Sequence, residues 1–251
     1  MFYLPRIRAV ELHRVDDGRR PLSWSVPDVP CATTLTELVL SKAQLPEENT
    51  DRIIRFCPNL TTLRYEHVID AEYASAWLNL GRVRDSLSAL ESSLEDLTFA
   101  IALWTSTDVD CGDAGTWGTQ GSLGSLSGFT RLTRLAVSLP ALLGWRADGS
   151  ARLADVLPEG LESLTITNEM HFWWRYQWDD RDWDHHEPVA PRWRSIEAKT
   201  VEYLESRPPS LKGLKVELPV SGGGKRAEEL KVSLFSKGEV VGIKLDVELV
   251  P

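Results

Sequence analysis

Apolar residues return along this chain in one spacing, LxxLxL, whose last two apolar positions stand two residues apart. The clearest copy is Leu161/Leu164/Ile166. The spacing recurs at Ile7/Val10/Leu12, Leu35/Leu38/Leu40, Leu60/Leu63/Tyr65, Leu94/Leu97/Phe99, Leu132/Leu135/Val137, Leu211/Leu214/Val216 and Val240/Ile243/Leu245, eight copies in all. Residues two apart lie on one side of a β-strand and the residues between them on the other. Each copy therefore predicts a short strand with one apolar and one polar face. Successive copies begin 28, 25, 34, 38, 29, 50 and 29 residues apart.

An interval of 25 to 29 residues holds one strand, one turn and one helix, the unit of a leucine-rich repeat. The expected fold is α/β: a leucine-rich-repeat solenoid, or horseshoe, of about eight irregular repeats in a single domain over 1–251. Right-handed crossovers would place a parallel β-sheet on the concave side and helices on the convex side. Helices are expected over Glu47–Phe56, over 71–80 and 82–90 with a break at Gly81, for one turn around Leu153, and over Ser195–Ser206. A further helix is expected over Arg226–Phe235, with Gly238 placed to end it. The long intervals mark insertions. Residues 105–128, with glycines at 112, 115, 118, 121 and 124, predict a mobile loop, and 170–194 reads MHFWWRYQWDDRDWDHHEPVAPRWR. Strands so near both ends of the chain predict either flanking sequence or edges that pair with another chain.

Composition narrows the function classes. The chain is 42% hydrophobic and 26% charged, ordinary values for a soluble protein. No apolar run reaches the ~20 residues that cross a bilayer. The first residues lack the apolar segment of a signal peptide, so an intracellular location, cytoplasmic or nuclear, is expected. A net charge of -9 opposes nucleic-acid backbones and anionic membrane surfaces. Cys31, Cys57 and Cys111 form no CxxC pair, which predicts reduced, structural thiols.

Candidate chemistry lies first on the polar strand face. Glu11, His13, Glu37, Arg64, Glu66, Asp96, Arg134, Ser163, Thr165, Thr167, Lys215, Glu217 and Lys244 are expected there, together with smaller residues such as Ala9, Ala136 and Gly242. Such a surface of mixed sign suits a protein partner, since repeat arrays bind on their concave side. The aromatics Trp173, Trp174, Tyr176, Trp178 and Trp183 of the second insertion are the next candidates, either as contact residues or folded back as a satellite core. His185 and His186 stand among Asp179, Asp180, Asp182, Asp184 and Glu187, a donor set that zinc accepts. Adjacent histidines point in different directions, however, so no metal site is expected. The glycine-rich loop lacks the GKS/T ending of a phosphate-binding loop, and neither GxSxG nor HExxH occurs. No catalytic residue, no cofactor and no enzymatic activity are expected; a metal-dependent hydrolase using the second insertion is the rival reading.

Several runs resemble a known family when taken in order. They are Cys57-Pro58-Asn59-Leu60-Thr61-Thr62-Leu63-Arg64-Tyr65-Glu66-His67, the SLSALESSLEDL of 86–97, the GSLGSLSGFTRLTRL of 121–135, Leu142-Leu143-Gly144-Trp145 and the LADVLPEGLESL of 153–164. Over roughly residues 30–217 the chain resembles the leucine-rich-repeat portion of fungal F-box-like proteins. The resemblance implies a substrate-recognition part of a ubiquitin-ligase receptor, in which an F-box binds a Skp-type adaptor. No F-box is visible, so that adaptor is expected only through a segment outside this chain; a free-standing scaffold is the alternative. The Asn or Cys that many such repeats place after the strand is replaced here by Ala43, Val68, Ala102, Pro140 and Glu169, which predicts irregular turns in place of an asparagine ladder.

Overall fold

The structure, a computed structural model, describes residues 6–16, 31–70, 76–104, 117–144, 146–147, 149–170, 193–206, 208–219 and 224–250. Eight strands form one sheet: β1 (Ala9–His13), β2 (Glu37–Ala43), β3 (Thr62–Asp70), β5 (Asp96–Trp104), β7 (Arg134–Val137), β8 (Ser163–Ile166), β9 (Gly213–Pro219) and β10 (Lys244–Val250). They lie in that order, every pairing is parallel, and the sheet does not close into a barrel. Two short strands, β4 (Ala76–Asn79) and β6 (Trp117–Gln120), pair in parallel beside it. The fold class is thus α/β around a parallel sheet, as the spacing predicts.

Register follows the apolar pattern. Val10, Leu38, Leu63, Leu97, Leu135, Leu164, Leu214 and Leu245 form one cross-strand row; Leu12, Leu40, Tyr65, Phe99, Val137, Ile166, Val216 and Val247 form the next. All are buried except Leu12, which is half-buried. A one-residue slip would turn both rows to solvent, so burial itself holds the register.

A second device acts just ahead of the strands. The N–H groups of Thr36 and Glu37 both donate to the carbonyl of Arg8, those of Thr61 and Thr62 to Thr36, and those of Glu95 and Asp96 to Thr61. The same two-to-one pattern continues from Thr133 and Arg134 to Glu95, from Glu162 and Ser163 to Thr133, and from Lys212 and Gly213 to Glu162. Thr36, Thr61 and Thr133 add their hydroxyls to the same carbonyls, at 3.2, 3.1 and 3.2 Å. In five repeats the opening leucine closes a tight turn: Leu35, Leu60, Leu132, Leu161 and Leu211 each donate to the carbonyl three residues back, while Leu94 donates four back, to Leu90.

The helices are α1 (Glu47–Arg55), α2 (Leu80–Leu87), α3 (Leu139–Leu143), α4 (Leu153–Val156), α5 (Trp193–Glu205) and α6 (Gly224–Val241), with a 3-10 turn at Ser88–Leu90. They pack side by side, α1 on α2, α4 on α5 and α5 on α6. Ile53 and Ile54 of α1, Val83 and Leu87 of α2, and Ile196 and Leu204 of α5 join a hydrophobic cluster that runs from Val10 to Val247. Among the described residues no helix is long and apolar enough to cross a membrane.

Five expectations need correction. Residues 76–79 form strand β4 rather than helix; Asn79 ends it, and its side-chain oxygen accepts from the Arg82 N–H at 3.0 Å to cap α2. Gly81 sits inside that helix and breaks nothing. The second half of the 105–128 stretch is held in the fold rather than loose: Leu123, Leu126 and Phe129 are buried, and Leu123, Gly124 and Leu126 donate backbone bonds to Ala141, Leu142 and Val156. Arg84 fixes it further by donating to the Ser125 carbonyl at 2.7 Å with its guanidinium 4.9 Å from the Phe129 ring centre. Residues 105–116 lie outside the described residues.

The remaining two corrections meet at the last repeat. Helix α6 continues past Gly238, whose missing Cβ would lie 3.3 Å from Leu245 Cβ and from the Ile243 carbonyl. Gly238 thus allows close approach to β10, and the stop falls at Gly242, with φ of +73°. There the Ile243 N–H donates to Gly238 and the Gly242 N–H to Glu239, the paired bonds of a Schellman ending. The eighth strand accordingly pairs through Leu245 and Val247, two residues later than Ile243 and Leu245. Gly242 leaves the strand face, while Lys244 keeps its side because the slip is even.

One polar group interrupts the apolar rows. Tyr65 OH lies 3.1 Å from Thr50 Oγ1 of α1 and 3.0 Å from His67 Nδ1, and its ring meets Phe99 edge-on at 5.6 Å. Burial lowers the His67 pKa to about 4. The unfolded chain takes up that proton near pH 6.5, so His67 destabilises the fold progressively as pH falls from there towards 4 and costs nothing above it. Urea unfolding across pH 4–7 is expected to show a drop in wild type that His67→Asn reduces, and Tyr65→Phe is expected to cost about 1–2 kcal/mol at pH 7 by stranding its partners. Gly242→Ala, with nothing within 4 Å of the added Cβ, is expected to lose about 1 kcal/mol from backbone strain alone in the same assay.

Candidate functional site

The residues between the apolar positions line the other side of the sheet. One polar row is Ala9, Glu37, Thr62, Asp96, Arg134, Ser163, Gly213 and Lys244, and the next is Glu11, Val39, Arg64, Thr98, Ala136, Thr165, Lys215 and Asp246. A third begins with His13 beside Ser41, continues with Glu66 beside Ala100, and finishes with Glu217 beside Glu248. Twelve of the thirteen expected face residues stand on these strands; Thr167 follows β8 by one residue. Parallel sheets are ordinarily covered on both sides. Here Glu11, His13, Glu37, Arg64, Arg134, Lys244, Asp246 and Glu248 are exposed.

The face varies in side-chain size. Its middle strands carry Thr98, Ala100, Ala136 and Thr165 beyond the charged Asp96 and Arg134, Ser138 and Thr167 follow β7 and β8 by one residue, and further charges stand on β3 and β9. Asp96 and Arg134 pair at 2.9 Å, and Lys215 reaches Glu217 at 2.9 Å and Glu248 at 2.5 Å. These acceptors raise the Lys215 pKa, so its charge persists at any ordinary pH.

Sequence reasoning missed Glu169 as a site residue. It follows Ile166 by three residues, where the other repeats have Ala43, Val68, Ala102 and Pro140; a lone carboxylate at an otherwise apolar position was the available signal. Its Oε2 is buried without a hydrogen-bond partner, as is Thr167 Oγ1. The two groups are neighbours, near enough for the hydroxyl to favour the charged carboxylate but not in hydrogen-bonding geometry with each other. Burial first, then repulsion from Glu217 and Glu66, raises the Glu169 pKa. Glu66 stands on β3 and Glu217 on β9, on either side of the turn after β8 that carries Glu169.

The insertion aromatics Trp173, Trp174, Tyr176, Trp178 and Trp183, and the pair His185 and His186, lie outside the described residues. Among the described residues no group of three or more His, Cys, Asp or Glu side chains is placed to hold a metal ion. Cys57 is buried, with its thiol pKa pushed up to about 12 by that burial, which leaves it unreactive. No family model matches the chain, and neither does any curated protein or solved structure.

Exposed ion pairs contribute little. Arg64→Ala, Lys244→Ala and Arg134→Gln are each expected to shift unfolding free energy by no more than about 0.5–1 kcal/mol, measured by urea titration; a loss well above that would make the face a structural element.

Proposed function

We propose that the chain is a non-enzymatic protein-recognition module, a leucine-rich-repeat horseshoe that takes its partner on the concave, polar face of the sheet. Parallel strands in chain order, joined by crossovers whose helices pack on one another, support the repeat-array reading. The observation that carries the function is the face itself. It is exposed and of mixed sign, and the ion pairs among the described residues do not engage Arg64, Glu37 or Lys244. Folding requires the apolar side of these strands and gives no reason for the charges on the other. The resemblance in residues 30–217 extends the proposal to the substrate-recognition part of an F-box-like ubiquitin-ligase receptor.

Affinity capture from a fungal extract, with bound proteins identified by mass spectrometry, tests the reading. Arg64→Glu with Lys244→Glu should abolish specific partners, while Arg52→Glu with Arg152→Glu, on and beside the helices, should keep them. Partners that survive the first pair and vanish with the second would overturn it. Purified Skp adaptor is expected not to bind residues 1–251; a partner set containing ubiquitinated proteins or ligase subunits would favour the receptor over a free-standing scaffold.

A further inference from the structure

One backbone hydrogen bond brings two cysteines together. The Ala32 N–H donates to the Phe56 carbonyl at 2.7 Å, so Cys31 immediately precedes the donor and Cys57 immediately follows the acceptor. The turns that begin there are copies of one another: Leu35 donates to the Ala32 carbonyl and Leu60 to the Cys57 carbonyl. Asn59 Nδ2 ties the second turn to the first by donating to the Thr33 carbonyl at 2.7 Å. Standard bond lengths on either side of the shared hydrogen bond keep the two cysteine Cα atoms within about 8 Å even along a straight path, and the bend at each end brings them towards the ~4.4–6.8 Å that a disulfide spans. Cys31 is also near enough to add to the rise in the Cys57 thiol pKa that burial chiefly causes.

The two thiols differ in access. Cys31 is exposed, whereas Cys57 is fully buried. A free cysteine is ordinarily a buried residue, and the exposed one is where an oxidant from solution arrives. Cys57 is inert towards reagents in solution, but a sulfur held at its side requires no encounter, and such placement offsets a scarcity of thiolate. We propose that Cys31 and Cys57 form a reversible, peroxide-driven disulfide that clips the turn before β2 to the turn before β3. Hydrogen peroxide oxidises the Cys31 thiol to a sulfenic acid and is itself reduced to one water. The Cys57 sulfur then attacks the sulfenic sulfur; its proton joins the departing hydroxyl, and a second water leaves as the S–S bond forms. Two molecules of a small thiol reverse the bond by exchange at the exposed Cys31 sulfur and leave as their own disulfide. While it lasts, the bridge closes β2 and α1 into a covalent ring and restrains the unfolded chain.

The test treats the full reduced chain with a small excess of hydrogen peroxide and reads the product by intact mass and by mass spectrometry of a non-reducing digest. Expected is a monomer lighter by two hydrogens, in which the peptides of Cys31 and Cys57 are linked. Its melting temperature is expected to lie about 5 °C above that of the reduced chain, and dithiothreitol should return it to the starting value. Cys31→Ser, a change at an exposed position, should lose both the link and the shift. Cys111→Ser should keep both. A link from Cys31 to Cys111, a dimer joined through Cys31, or Cys31 carried on to sulfinic acid while Cys57 stays a thiol would each overturn the clip.

Discussion

Six successive repeats in this chain each hand one carbonyl forward and receive two N–H groups from the next. That shared acceptor, repeated at Arg8, Thr36, Thr61, Glu95, Thr133 and Glu162, sets where each strand begins before any side chain is considered. Two bonds to one oxygen confine the approach direction as well as the distance, so the strand that follows starts in register with its neighbour. The apolar rows then complete what the ladder begins. Since each backbone hydrogen bond is worth only about 1 kcal/mol net, the ladder's contribution is geometric rather than a large share of stability.

A stack held from its backbone and its apolar side leaves the opposite side chains free to vary. On this sheet they have not become uniformly polar: hydroxyl and methyl groups share the middle strands with the Asp96–Arg134 pair, and further charges stand on β3 and β9. Glu169, in the turn after β8, has its carboxyl pKa raised chiefly by burial, with smaller contributions from the charges of Glu217 and Glu66.

The parts of the fold governed by period were legible in the sequence, and the parts governed by context were not. Seven copies of the spacing read the register correctly because leucine or valine at the first strand position, and an apolar or aromatic residue two later, are mostly set off by polar or small neighbours. The eighth failed because Ile243, Leu245, Val247 and Leu249 alternate without interruption, and a period of two cannot choose its own origin. The choice was made by Gly242, where α6 ends. Residues 121–128 look like loop by composition, yet Leu123, Leu126 and Phe129 are spaced to enter the core between glycines. On the polar face the expected residues stand where alternation puts them. Glu169 escaped because it lies after the strand, where no period applies.

The Tyr65 hydroxyl offers a last consequence. The first apolar row is almost all leucine and so nearly interchangeable from one repeat to the next, which gives little to distinguish one neighbour from another. Tyr65 meets Thr50 from α1 on one side and His67 from its own strand on the other. Docked against any other helix of the array, the hydroxyl would forfeit its bond to Thr50 inside an apolar layer, a penalty of about 1–3 kcal/mol. A single buried oxygen thus gives an otherwise repetitive core an address, marking which helix belongs over the third strand.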